Sequence, residues 1–170
     1  MAEKVGILLL LLVAAVTVCV GQTAATKSPD RVAELRSRFD HDPDPIRKAK
    51  LMPQLGDAEF RELESDLLAE RLPDALMILQ QYGDEAQSCE KELEAKGVNA
   101  EQHPAGFKQL QFSLRESLRR LDDLLVTLTA DERAPFEPVR RDIDEMNRRL
   151  IHELFPRQPA TEEPKPENVK

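Results

Sequence analysis

Two heptad-like apolar seams joined by a short connection restrict the fold more than any other feature of the chain. Phe107, Leu110, Leu114, Ser117, Leu121, Leu124 and Leu128 recur in steps of three and four, with one polar gap at Ser117. Leu118 and Leu125 widen the stripe, and Phe136, Val139, Ile143, Met146, Leu150 and Leu154 repeat it in the next segment. Apolar residues at this period lie along one face of an α-helix, which is stable only when that face is covered. Two such helices joined so briefly fold back on each other as an antiparallel pair over residues 104–154.

The upstream half reads the same way. Ser28-Pro29-Asp30 suits a helix start, with a capping Ser, a Pro in the first turn and an acid at the positive end of the helix. Val32, Leu35 and Phe39 follow at helical spacing, and Asp42-Pro43-Asp44-Pro45 ends this short helix and opens the next. That second helix is expected from Pro45 to about Glu70, with a kink or break at Pro53 and a fresh start at Gly56-Asp57 if it breaks. A third runs from Leu72 to Lys96-Gly97, a basic last turn followed by the residue best suited to a left-handed cap. Its stripe is Leu72, Ala75, Leu79, Tyr82, Ala86, Cys89 and Leu93. The expected fold is therefore all-α, two antiparallel helical hairpins (45–96 and 104–154) packed as a four-helix-type bundle with a short extra N-terminal helix. The domain spans 29–155. Residues 156–170, rich in Pro, Glu and Lys, are expected to be disordered, because they bury too little to offset ordering entropy.

The start of the chain bears on where this bundle works. Glu3 and Lys4 precede an apolar run from Val5 to Val20, and small or polar residues follow. That is the pattern of a signal peptide over residues 1–21. Cleavage is permitted before Gln22 or, at the latest, before Thr26, leaving 22–28 as a linker. The alternative is a retained anchor, since the charge-free stretch after Lys4 matches the about 20 residues that cross a bilayer. Lipidation of Cys19 is disfavoured because the preceding Val16-Thr17-Val18 puts a bulky Val where bacterial lipoproteins carry Gly, Ala or Ser. The expected location is periplasmic or extracellular, with a membrane-tethered form if the leader stays.

Composition narrows the function classes. The net charge of −8 argues against nucleic-acid binding, which draws its affinity from Lys and Arg on phosphates. There is no Trp and one Tyr, so the core must be aliphatic. Once Cys19 leaves with the leader, Cys89 stands alone and the mature chain has no internal disulfide. Its place on the third stripe makes it a small buried hydrophobe, with an intermolecular bridge as the alternative.

No catalytic, metal or cofactor motif is visible. His41, His103 and His152 lie apart, with no His-Glu-x-x-His or Cys-x-x-Cys-His around them. A haem held by His and Met inside a bundle would draw on Met77 or Met146, though Met ordinarily fills cores. Glu153 beside His152 is the nearest approach to an isolated general acid. Arg115, Arg119, Arg120, Arg140, Arg141, Arg148 and Arg149 enrich the C-terminal hairpin and form a candidate surface for an anionic partner. Intrahelical pairing, such as Glu137–Arg141, Asp144–Arg148 and Glu145–Arg149, is the competing use.

Leu128-Thr129-Ala130-Asp131-Glu132-Arg133 resembles the Leu-Thr-x-x-Gln-Arg motif of small periplasmic stress chaperones of the Spy/CpxP type. Glu132 stands where that motif has Gln, and one copy is present where that family has two. The same six residues also form a capping box from Thr129 to Glu132. Residues 46–96 look somewhat like one tetratricopeptide-type hairpin, without the tandem copies such arrays need. The sequence thus points to an exported, non-enzymatic helical interaction or structural protein whose partner is another envelope protein or itself. A periplasmic chaperone-like module is the first alternative, and a ligand- or haem-binding bundle the second. N-terminal sequencing of the exported protein is expected to read from Gln22 or Thr26; a start at Met1 would make the segment an anchor.

Overall fold

The computed structural model describes residues 28–97 and 99–156. They form six helices: α1 (Ser28–His41), α2 (Pro45–Leu68), α3 (Leu72–Ala95), α4 (Ala105–Leu125), α5 (Ala130–Arg133) and α6 (Glu137–Leu154). No strand occurs among them. The leader, the linker up to Lys27 and nearly all of the expected tail lie outside the described residues.

Local chemistry sets the helix ends. The Asp44 side chain accepts the Ile46 N–H at 3.3 Å, and Pro45 occupies the first turn, where its missing N–H costs nothing. At the far end of α2, Glu70 adopts φ 57°, and the Arg71 and Glu70 N–H groups return to the Asp66 and Leu67 carbonyls. This is a Schellman-type stop built without Gly. Gly97, at φ 64°, follows α3 as its spacing after Lys96 predicts. Thr129 and Glu132 cap each other, giving the one-turn α5.

Three boundaries differ from the sequence reading. α2 runs unbroken through Pro53, because Met52 and Leu55 on either side are wholly buried and hold the backbone in register. The fourth helix ends at Leu125 rather than Leu128, and the last begins at Glu137 rather than near Pro135. Between them the capping box at Thr129 starts a separate turn.

The bundle is two antiparallel hairpins, α2–α3 and α4–α6, laid side by side with α2 parallel to α4 and α3 parallel to α6. Gly106 near the start of α4 packs on Ile46 of α2 and Leu93 of α3, while Arg120 farther along reaches Glu64 and Asp57. Gly83 of α3 meets Val139, and Glu90 meets Arg149. α1 lies antiparallel to α2 over the α2–α3 groove, where Val32, Leu35 and Phe39 are buried. The core is aliphatic except for Tyr82, Phe60, Phe39, Phe107 and Phe136, and Cys89 lies within it.

Gly56 is needed where it stands. A Cβ there would sit 2.9 Å from Cε2 of Tyr82, whose ring is fixed edge-on against Phe60. Gly56→Ala should therefore destabilise the fold by about 1–3 kcal/mol despite Ala's better helix propensity. Urea unfolding would show it as a lower midpoint, and an unchanged or higher midpoint would mean that the ring yields.

Candidate functional site

A salt-bridged cluster lies under α1. Glu59 of α2 is wholly buried and Glu85 of α3 nearly so, and both are held by one guanidinium, Arg36 of α1. Arg36 Nη2 donates to Glu59 Oε1 at 2.5 Å, and Nε donates to Glu85 Oε1 at 2.8 Å. The other oxygen of each carboxylate is buried without a hydrogen-bond partner. Burial, reinforced by the charge of Glu85, pushes Glu59 up to about 8 against the opposing pull of Arg36. Burial raises Glu85 as well, with Arg36 opposing it. Both acids therefore resist ionisation in the folded chain.

The polar path continues across the core. Tyr82, one turn before Glu85, accepts the Ser117 hydroxyl at 2.8 Å and lies 3.5 Å from the Ser113 hydroxyl. Burial pushes the phenol up to about 12 despite those bonds, so it stays neutral. The polar gap at Ser117 in the α4 seam is thus matched by a partner on α3. At the next interface Gln111 Nε2 donates to Asn147 Oδ1 at 3.1 Å, both side chains buried.

A cleft opens between α2 and α4 on the other side of Gly56. Pro53, Gly56, Phe60 and Phe112 give it apolar surface, and Asp57, Gln109, Ser113, Glu116, Ser117 and Arg120 add polar and charged groups to its lining. Phe112 is 41% exposed, less than Phe155 near the end of α6, and is flanked by Lys108 and Arg115, whose cationic groups lie 5.6 and 5.1 Å from its centre. Such contacts orient the cations over the ring face and leave their charge toward solvent.

Most of the seven arginines of the C-terminal hairpin are engaged by carboxylates. Arg119 pairs with Glu116 and Asp123 on its own helix, and Arg120 crosses to Glu64 and Asp57 on α2. Arg140 reaches Asp122 on α4, Arg148 pairs with Asp144, and Arg149 leaves its expected partner Glu145 for Glu90 on α3. Arg115 stands on Phe112. Arg141, for which pairing with Glu137 is expected, is exposed and makes no ion pair among the described residues.

The remaining candidates fall apart in space. Glu153 is half-buried, and burial with the charges of Glu94 and Glu90 raises it, but the neighbouring His152 is exposed. Met146 is buried against α3 and Met77 is exposed near Arg36, so they line different clefts. Cys89 is buried and its thiol is pushed up to about 12 by burial, which makes it unreactive. No group of three or more His, Cys, Asp or Glu side chains among the described residues is placed to hold a metal. No helix among them is long and apolar enough to cross a membrane.

Sequence reasoning passed over Glu59, Glu85 and Arg36, although a signal was present. Gly56-Glu59-Leu63 and Tyr82-Glu85-Cys89 keep the steps of three and four that mark buried stripes, and Val32-Arg36-Phe39 does the same on α1. A charge within such a register is itself the anomaly.

The raised acid at Glu59 sets the sign of a pH effect. The unfolded chain loses this proton near the ordinary carboxyl range, whereas the folded chain keeps it to about 8. Stability should therefore fall as pH rises across that window, by at most about 1.4 kcal/mol per pH unit from this group. Glu59→Gln should flatten the slope in urea midpoints measured across it, and an undiminished slope would remove Glu59 as its source. The surface acids Asp42, Asp44, Glu116 and Glu132 are lowered by their partners, so they act only at more acid pH. Compared with known families, characterised proteins and solved structures, the chain matches none.

Proposed function

We propose that the chain is an exported, non-enzymatic helical interaction module that meets a protein partner through the α2–α4 face. The export reading is supported by the charged start, apolar run and small-residue flank of residues 1–25. One observation carries the interaction reading: Phe112, an aromatic ring 41% exposed beside a cleft to which Pro53, Gly56 and Phe60 give apolar surface. Interface energy concentrates on aromatic and Arg anchors set in pockets, and Phe112, Arg115 and the Pro53–Phe60 floor supply that combination.

Charge narrows the partner. Lys108 and Arg115 pair with no carboxylate among the described residues, on a chain whose net charge is −8. A protein segment with an apolar side chain flanked by carboxylates fits this surface, with the charged rim setting encounter rate and register more than affinity.

A photocrosslinker replacing Phe112 in the exported protein is expected to yield a discrete adduct in intact envelopes. The same group at Met77, exposed on α3 near α1, should yield none. Equal adducts at both positions, or none at Phe112, would sink the reading, as would turnover of a defined substrate by the pure protein.

A further inference from the structure

We propose that Glu59 and Glu85 hold one proton between them, and that the junction of α1 with α2 and α3 is a proton-dependent joint that loosens when this proton leaves. The inference is independent of the partner-binding face. The charges do not balance: two buried carboxylates meet one guanidinium, which is itself 27% exposed at the rim of a cleft. With both acids ionised, the junction carries a net negative charge away from water, an arrangement that buried sites avoid by taking up a proton. With one proton retained, the cluster is neutral. Each carboxyl also has one buried oxygen without a partner, so the pair has vacant positions for a shared hydrogen. The two groups act directly on each other as well as through Arg36.

The surroundings do not supply the missing cation. On α1, Asp40 adds negative charge toward Glu85. On α2, Glu62 feels Arg36 as well, and Lys48 is committed to Glu92 and the Phe39 ring. On α3, Asp84 lines the same cleft and Tyr82 is neutral. Loss of the proton therefore leaves α1 covering an uncompensated anion. The released arrangement lets water reach both carboxylates, so lifting α1 becomes easier as the proton leaves. α1 is also the element between the leader and the bundle, so the joint would link ambient pH to how firmly the bundle is held to whatever precedes it.

Amide hydrogen exchange of the full chain tests this, read separately for α1 and for α4 and α6 and corrected for the intrinsic pH dependence of exchange. The opening equilibrium of α1 should rise with pH from the ordinary carboxyl range up to about 8, by at most about tenfold per unit, and level above it, as one linked proton requires. α4 and α6 should not follow it. Glu59→Gln should flatten the α1 response, and Glu85→Gln gives the same test if the first variant folds poorly. Infrared spectra at neutral pH should also show a protonated carboxyl band that either variant removes. An α1 opening that is independent of pH, a slope that persists in the variant, or the absence of that band would overturn the proposal.

Discussion

The Tyr82 side chain crosses the middle of the bundle, and much of the structure depends on its reaching there. It enters from α3, passes over α2 where Gly56 leaves room for it, stacks edge-on with Phe60 at 5.4 Å, and ends on the Ser117 hydroxyl of α4. Three helices are thereby fixed in axial register by one ring. A purely aliphatic seam would allow neighbouring helices to slide by a turn with modest loss, because Leu against Leu is tolerant of register. A buried hydroxyl is not tolerant, since a slip leaves it without a partner. The Gln111–Asn147 bond does the same for α4 and α6, and Lys48–Glu92 for α2 and α3.

The architecture was legible because it rests on periodicity. The two C-terminal seams and the Leu72–Leu93 stripe face the core as their spacing implies, with Leu72, Leu124, Leu128 and Val139 only partly buried, and Cys89 lies among them. What was not legible concerns balances between local and tertiary forces. Pro53 weakens α2 locally, but wholly buried Met52 and Leu55 on either side of it carry the helix through. Glu70 takes a left-handed conformation that residues with a Cβ rarely adopt, so nothing in its identity marks the sharp stop. The Thr129–Glu132 box was visible, but not that it would open a helix of one turn.

The candidate site was harder to read for a different reason. Helical charge pairs can be read along one chain segment, and Asp144–Arg148 forms as its spacing suggests. Arg149 does not follow its local partner, because Glu90 on α3 is almost buried and gains more from a cation than an exposed Glu145 does. Arg36, Glu59 and Glu85 are separated by 23 and 49 residues in their hydrogen bonds, so no local rule joins them. Phe112 likewise looks like one more apolar residue until the seam is phased and it falls outside.

A buried ionic cluster is poor support for the idea that charge stabilises this fold. Apolar residues of similar size would often serve as well or better, whereas removing one member of a pair leaves a stranded charge. Arg36, Glu59 and Glu85 are better understood through what they exclude. Val32, Leu35 and Phe39 alone would let α1 settle on any apolar groove of the bundle, and the α2–α4 face with Phe60 and Phe112 offers one. The carboxylates mark the α2–α3 groove as the place where Arg36 finds two buried acids to pair with. This choice leaves the α2–α4 face open, so the cluster that positions α1 also decides which surface the bundle presents.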